Sequence, residues 1–132
     1  MGVLTVFLDK IINLVDTDLF GKADPYVKFH LEQDNWMFDK NFGKVTSTKK
    51  QGELNPVYKE TFTFEDVPSL KNLVLRIKVM DDDPLFDDKM GACKIDIEEL
   101  GLGEEPLGVD RVIDNNVIAK DARIFLQLSY TE

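Results

Sequence analysis

The sequence predicts an all-β fold, an antiparallel sandwich or barrel. Its dominant hydrophobic period is two, with Val, Ile, Phe, Leu and Tyr in short runs that turn-forming clusters separate. The 132 residues, of which 43% are hydrophobic and 31% charged, can bury a core without disulfides or a structural metal. We therefore expect one globular domain over residues 1–132.

Eight segments carry the strand pattern. In chain order they are residues 3–9, 25–32, 43–50, 57–65, 72–80, 91–97, 109–114 and 122–130. The clearest is NLVLRIKVM, where alternation predicts one buried face and one solvent face. The residues expected to face inward are Leu73, Leu75, Ile77 and Val79, and those expected to face water are Arg76 and Lys78.

Two other segments show the same alternation, and a third predicts a helical turn. ETFTFED is expected to bury Phe62 and Phe64, and GACKIDI places Cys93 on the same face as Ile95 and Ile97. The single cysteine has no internal partner, so we expect a buried, reduced thiol, which fits a cytosolic setting. IEELGLGEEPLG predicts one helical turn that ends at Gly101.

Charge and hydropathy exclude several classes of function. The net charge of −9 disfavours nucleic acid and would repel an anionic membrane unless the charge were locally reversed. No apolar run approaches the roughly 20 residues that span a bilayer, and the amino terminus lacks the pattern of a signal peptide. We expect a cytoplasmic protein.

Two acidic clusters stand out. DTDLFGKAD, residues 16–24, holds three aspartates, and DDDPLFDD, residues 81–88, holds five, well above the average of 25 acids in 132 residues. Both lie at strand ends, so a sandwich could bring them together. Two carboxylates about 4 Å apart repel by roughly 4 kcal/mol at an effective dielectric near 20, so convergence requires a cation such as Ca²⁺. The alternative is a pair of solvated acidic turns.

Other chemistries fit less well. An EF-hand starting at Asp16 would need oxygen ligands where Phe20 and Val27 stand. One Cys and one His serve zinc poorly. Because there is no Ser–His or Cys–His pairing and no phosphate-loop glycines, we do not expect an enzyme.

Three stretches together resemble the C2 domain, the β-sandwich module named after a conserved region of protein kinase C. They are LTVFLDKIINLVDTDLFGKADPYV, ELNPVYKETFTF and LVLRIKVMDDDPLFDDKMGACKIDI. The resemblance covers nearly the whole chain and implies an eight-stranded antiparallel β-sandwich with Ca²⁺-binding loops at one end. The opening strand and the closing strand ARIFLQLSY resemble the circularly permuted, type II topology.

The resemblance also implies a set of Ca²⁺ ligands. The carboxylate ligands would be Asp18, Asp24, Asp81, Asp83 and Asp88, with the backbone carbonyls of Thr17 and Asp82 contributing and with Asp16 and Asp87 as alternates. The third loop, between Asp81 and Gly91, is one residue shorter than is common in the family, so the choice between Asp87 and Asp88 and the number of ions stay open.

In C2 domains the Ca²⁺-binding loops also contact lipid. The resemblance therefore implies that this chain binds an anionic phospholipid membrane, and we expect it to do so as a monomer. The side chains that would then insert into the acyl boundary are Leu19, Phe20, Leu85 and Phe86. Burying one such apolar side chain is worth roughly 1.5–3 kcal/mol. The alternative is that Phe20 or Phe86 plugs its loop base. Thr46 and Thr48 occupy positions where some members carry phosphoinositide-binding lysines, whereas Lys49 and Lys50 lie nearer the second loop and could meet headgroups.

The predicted hairpin EQDNWMFDKNFGK, residues 32–44, should project from the end opposite the acidic loops. Trp36, Met37, Phe38 and Phe42 make it strongly apolar. Either this group packs back as a satellite core, or it forms an exposed patch for a protein partner. The sequence thus leaves two functions: Ca²⁺-dependent phospholipid binding in signalling or membrane trafficking, and Ca²⁺-independent protein interaction.

Overall fold

A computed structural model describes residues 1–15, 23–83, 87–114 and 122–132. The described chain forms eight strands and one short 3-10 turn. They are β1 Gly2–Ile12, β2 Pro25–Gln33, β3 Lys40–Thr46, β4 Val57–Val67, β5 Leu73–Asp81, β6 Asp88–Asp96, the turn Glu98–Leu100, β7 Leu107–Val112 and β8 Arg123–Thr131.

The strands form two four-stranded antiparallel sheets. One sheet has the order β4-β1-β8-β7 and the other β3-β2-β5-β6. The predicted all-β, eight-stranded antiparallel sandwich is therefore confirmed. The closing strand β8 pairs with the opening strand β1, so the two ends of the described chain lie in one sheet.

The core lies between the inner faces of the two sheets. The inward-facing residues predicted for β5 are fully buried, and Arg76 and Lys78 between them are exposed. Phe64 is buried as predicted, whereas Phe62 is only half-buried, its ring 5.4 Å from that of Phe29. Cys93 is also half-buried, and burial raises the pKa of its thiol to about 11.

Strand β2 runs the length of its sheet and defines the two ends of the molecule. Its pairing with β5 begins at Pro25↔Asp81 and ends at Gln33↔Leu73. Residues just before β2 therefore lie beside residues just after β5 at one end of the sandwich. The hairpin that joins β2 to β3 lies at the other end.

The predicted bounds of β3 were wrong. The strand covers Lys40–Thr46, whereas the sequence predicted residues 43–50. Beyond Thr46 the pairing becomes irregular: the Ser47 amide still donates to the Val27 carbonyl at 2.8 Å, but the Ser47 hydroxyl, not a backbone carbonyl, accepts from the Val27 amide at 2.8 Å. The chain then turns at Gly52, whose φ of 60° is in the left-handed region that glycine adopts readily.

The predicted helical turn is confirmed as a single 3-10 turn. Gly101 follows it with φ 60° and ψ 44°, and its amide donates to the Glu98 carbonyl at 3.3 Å. This left-handed residue ends the turn, as the sequence predicts.

Candidate calcium-binding and membrane-binding site

An acidic rim lies where β2 begins and β5 ends. Its described members are Asp24, Asp81, Asp82, Asp83, Asp87 and Asp88. The Asp24 amide donates to Oδ1 of Asp81 at 2.9 Å, across a separation of 57 residues, and the Asp82 amide donates to the Asp24 carbonyl at 3.1 Å. The sheet thus brings the described parts of the two acidic clusters into direct contact.

The second loop, residues 47–56 between β3 and β4, fixes the position of Asp24. Oδ1 of Asp24 accepts from the Gly52 amide at 2.7 Å, and the Glu53 amide donates to the Ala23 carbonyl at 3.0 Å. An ionised carboxylate has two oxygens and about four acceptor positions, so one amide bond uses only part of its capacity. Asp24 is therefore held in place without its acceptor capacity being exhausted.

Asp81 is a buried carboxylate, only 4% exposed. An ionised carboxylate that leaves water must be hydrogen-bonded or paired, and the Asp24 amide supplies one such bond. The β5–β6 ladder pairs Asp81 with the exposed Asp88. Asp82 and Asp83 follow Asp81 and are half-buried. The carboxylates of the third loop therefore range from buried, at Asp81, to exposed, at Asp88.

Asp87 has a partner within the fold. The Tyr26 hydroxyl donates a hydrogen bond to its carboxylate. This bond lowers the pKa of Asp87, while burial, followed by the same bond, raises the pKa of Tyr26 to about 12. Asp87 is held ionised by Tyr26, and Asp88 stands opposite Asp81, so the choice between them as ligand stays open.

Lys49 and Lys50 lie beside the rim. Nζ of Lys49 is 3.2 Å from Oδ1 of Asp82 and 5.5 Å from the centroid of the Tyr26 ring. Nζ of Lys50 is 5.6 Å from the centroid of the Tyr58 ring. Lys49 is thus an internal counter-charge of the acidic rim, a contact that the sequence did not predict.

Several predicted site residues lie outside the described ranges. Among the ligands these are Asp16, Thr17 and Asp18, and among the lipid-inserting residues they are Leu19, Phe20, Leu85 and Phe86. Their roles stay predictions.

The donor chemistry of the rim fits Ca²⁺. Its side chains are carboxylates and its neighbouring backbone offers carbonyls, which are the hard oxygen donors that Ca²⁺ takes in flexible geometry. Within the described residues, however, three acidic side chains with oxygens within 4.8 Å of one another occur at the other end of β2. They are Glu32, Asp34 and Asp39, and the described rim aspartates form no equally tight group of three.

A basic groove on the outer face of the β3-β2-β5-β6 sheet was missed by the sequence analysis. Its charged and titratable residues are Lys28, His30, Lys44, Arg76, Lys78 and Lys89. Strand pairing sets Lys28 directly opposite Lys78, and like charges in that position are destabilising. The fold therefore concentrates positive charge on one face of a chain whose net charge is −9.

His30 and Glu32 lie at one end of this groove. Oε1 of Glu32 lies 3.2 Å from Nδ1 of His30 and 2.9 Å from Nε of Arg76. The Nε2 atom of His30 is buried and has no hydrogen-bond partner among the described residues. Glu32 therefore offsets part of the positive charge at this end.

The other end of the groove reaches the acidic rim. Lys78 precedes Asp81 by three residues on β5, a distance of about 10 Å along a strand, and Lys89 directly follows Asp88 on β6. A planar anionic surface that touches the rim could therefore also meet these lysines.

The β2–β3 hairpin exposes three apolar side chains at the end opposite the rim. Trp36 is 95%, Met37 76% and Phe38 75% exposed. Phe42 is partly buried and packs against the core. The first three residues are therefore exposed and only Phe42 packs back against the core, while a protein partner for the exposed residues stays a prediction.

Comparison with known proteins decides the family. A family model described as "C2 domain" matches residues 2–112. The chain belongs to the C2 domain family. This C2 domain is 36% identical over 106 residues to synaptotagmin-6 of Rattus norvegicus and 38% identical over the same length to synaptotagmin-9 of Rattus norvegicus. Each match covers 79% of this chain, which spans about a fifth of the length of these curated relatives (20% and 21%).

Solved C2 domains have the same fold. A single C2 domain of plant Extended Synaptotagmin 1 superposes on this C2 domain with a TM-score of 0.81 and 25% identity, covering 98% of this chain and 94% of that one. A pair of C2 domains from Extended-Synaptotagmin 2, solved calcium bound, superposes with a TM-score of 0.73 at 23% identity, over 98% of this chain and 45% of that one. The second likeness establishes the fold alone.

A third likeness is to an enzyme. Human GIVD cytosolic phospholipase A2 matches with a TM-score of 0.74 and 23% identity over 99% of this C2 domain but only 17% of the enzyme. This likeness too is one of fold. Separately, no helix in the described parts of this chain combines the length and hydropathy needed to cross a bilayer.

Proposed function

We propose that this C2 domain binds anionic phospholipid membranes in a Ca²⁺-dependent manner and moves from the cytoplasm to the membrane surface when Ca²⁺ rises. The observation that supports this most is the hydrogen-bonded contact of Asp24 with Asp81. It unites two acidic segments at one end of the sandwich, beside the basic groove.

The proposed ligands follow the acidic rim. In the described residues they are the carboxylates of Asp24, Asp81, Asp83 and Asp88 and the carbonyl of Asp82, with Asp87 as an alternate; from the first loop, Asp18, Thr17 and the alternate Asp16 complete the proposal. Bound Ca²⁺ supplies positive charge to a cluster that otherwise repels anionic lipid. The chain itself contributes the fixed positions of Asp24 and Asp81.

The basic groove supplies a second contact with anionic lipid. A Lys or Arg near an anionic membrane surface contributes about 1 kcal/mol. Lys89 directly follows the rim residue Asp88, and Lys78 lies about 10 Å from Asp81 along β5. Without a cation at the rim, its carboxylates oppose this attraction. With the rim neutralised, both regions favour the same anionic surface, which gives the proposed switch its direction.

The loop tips complete the proposed membrane contact. Leu19 and Phe20 in the first loop and Leu85 and Phe86 in the third are proposed to insert beneath the headgroups, and Lys49 and Lys50 to contact the headgroups themselves. Because burying one such apolar side chain is worth roughly 1.5–3 kcal/mol, a few of them suffice for reversible binding.

Vesicle sedimentation tests the proposal. Vesicles of phosphatidylcholine with and without phosphatidylserine are mixed with the chain in Ca²⁺ or in chelator. We expect sedimentation only with phosphatidylserine and Ca²⁺. The Asp81→Asn/Asp83→Asn variant should lose it; at Asp81 the amide oxygen can still accept from the Asp24 amide while the charge is gone.

The matched control is Asp34→Asn/Asp39→Asn, which removes the same charge from the other end of β2. It should sediment like the unmodified chain. Equal sedimentation in Ca²⁺ and chelator would refute the proposal, and loss of sedimentation in the control variant alone would move the ion to the hairpin end.

A further inference from the structure

The tip of the β2–β3 hairpin, residues 34–39, is the most exposed apolar region of the described chain. Trp36, Met37 and Phe38 are consecutive and all strongly exposed, whereas the other exposed large apolar residues in the described ranges occur singly. Scattered apolar residues are normal on a surface, but a contiguous group of this size marks an interaction site.

The hairpin tip is anchored at its base. The buried Gln33 donates through Nε2 to the Lys71 carbonyl at 2.8 Å, and the Asp34 amide donates to the Asn72 carbonyl at 3.0 Å. These bonds tie the hairpin to the turn between β4 and β5. A shallow groove lined by Asn35, Ser69, Lys71 and Asn72 runs beside Trp36. The backbone at the base of the hairpin is therefore fixed before a partner binds, which reduces the entropy cost of ordering it.

The hairpin tip itself carries negative charge, and Lys40 and Lys71 lie at its margins. Glu32, Asp34 and Asp39 place carboxylate oxygens within 4.8 Å of one another. Glu32 is already paired with Arg76, but in the described part of the chain no ion pair engages the exposed Asp34 and Asp39. Residues 34–39 contain two acids and no base. The two carboxylates of the tip therefore favour a partner that is cationic as well as apolar.

We propose that the hairpin tip is a docking site for a protein segment that carries an arginine next to apolar residues. The planar guanidinium suits two neighbouring carboxylates, here Asp34 and Asp39, and it also stacks on aromatic faces such as that of Trp36. The apolar residues of the segment would pack on Met37 and Phe38. Tryptophan and arginine are the residues that most often dominate the energetics of protein interfaces.

The same charges argue against an anionic membrane as the occupant. Trp and Phe suit a membrane interface, but Asp34 and Asp39 would repel its headgroups. The docking site lies at the opposite end of β2 from the acidic rim and needs no Ca²⁺. Its failure would therefore leave the proposed membrane function untouched.

Peptide display on the full chain, in chelator, tests this docking site. Random peptides are selected on the immobilised chain, and the selected sequences are synthesised and titrated. Trp36 is the only tryptophan, so its emission reports directly from the hairpin tip when the peptides lack tryptophan. We expect enrichment of arginine beside Leu or Phe, and a saturable blue shift of Trp36 emission.

Variants locate the binding energy. Asp34→Asn/Asp39→Asn should weaken binding about tenfold or more while keeping the fluorescent reporter. Trp36→Ala, followed by the anisotropy of a labelled peptide, should weaken it roughly 30-fold or more. The control Glu104→Gln/Glu105→Gln, two exposed acids outside the tip, should bind unchanged.

Three results would overturn this docking site. One is a selection in which basic residues are not enriched, or selected peptides whose affinity is unchanged by Asp34→Asn/Asp39→Asn. Another is an equal blue shift with phosphatidylserine vesicles that grows when those charges are removed, which would make lipid the occupant. The third is a concentration-dependent shift of Trp36 emission together with dimers in sedimentation velocity, which would make a second copy the occupant.

Discussion

The two ends of β2 carry two acidic groups that are built in different ways. The rim joins residues 57 apart in the chain through sheet pairing, whereas the hairpin group, Glu32, Asp34 and Asp39, is local. Beside the rim the sheet places lysines of the basic groove; beside the hairpin group it leaves exposed aromatic residues. We therefore propose that the same residue type serves different binding chemistry at the two ends, according to its neighbours.

Removing the carboxylate charges at one end of β2 at a time gives the largest expected effect, a selective loss of binding at that end. Asp81→Asn/Asp83→Asn should weaken Ca²⁺ binding by about a hundredfold or more, because affinity depends on the number of charged ligands. It should leave the binding of arginine-containing peptides intact. Asp34→Asn/Asp39→Asn should do the reverse. Calorimetric titration with Ca²⁺ and with peptide checks both, and a variant that impairs both activities would mean that the ends are not independent.

Calcium should also stabilise the fold. At a hundredfold excess over its dissociation constant, a ligand that binds only the folded state adds about 2.7 kcal/mol to the free energy of unfolding, or roughly 10 °C in Tm for a domain of this size. Thermal melts with and without Ca²⁺ measure this. The rise should vanish in Asp81→Asn/Asp83→Asn and persist in the hairpin variant; a rise that survives the rim change would refute the ligand assignment.

The basic groove should contribute less than the rim. Lys28→Gln/Lys78→Gln is expected to weaken binding to phosphatidylserine vesicles in Ca²⁺ by about tenfold at low ionic strength. Because these two lysines stand opposite each other, the same change should raise the free energy of unfolding by about 0.2–1 kcal/mol.

Vesicle titration and chemical denaturation check the two effects of the groove variant, and Lys10→Gln/Lys59→Gln on the other sheet is the charge-matched control. A control that loses as much vesicle binding as the groove variant would mean that total charge, and not the groove, attracts the lipid.

The smallest predicted effect concerns Lys49. Replacing this lysine with Met removes the cation that lies 3.2 Å from Asp82. The affinity for Ca²⁺ without lipid should rise by roughly twofold to fivefold because a nearby positive charge is lost. Binding to phosphatidylserine vesicles at saturating Ca²⁺ should fall. If both affinities moved in the same direction, Lys49 would not act as the counter-charge of the rim.

The alternation of apolar residues predicted the fold well because burial on one sheet face imposes a period of two. It failed at the end of β3, where the Ser47 hydroxyl replaces a ladder bond that no periodicity records. It also overestimated the burial of Phe62 and Cys93, which are half-buried. Local hydrogen bonds and exact depth depend on tertiary packing, which the pattern does not contain.

The acidic rim was predictable because each of its two clusters is contiguous in sequence and lies at a strand end, whereas the basic groove has no such cluster. The aspartates of residues 81–88 stand out in the chain, but the basic groove draws Lys28, Lys44 and Lys78 from three different strands. Only strand register brings these together. Composition likewise could not decide whether Trp36 is buried, because an apolar hairpin can pack inward or stay exposed.

The most direct test of the account is a crystal structure of the chain grown with Ca²⁺, with anomalous difference density used to locate the ion. The account predicts a peak at the acidic rim, about 2.3–2.6 Å from oxygens of both Asp24 and the third loop around Asp81. A peak at Glu32, Asp34 and Asp39 instead, or a rim that binds no ion at saturating Ca²⁺, would contradict it.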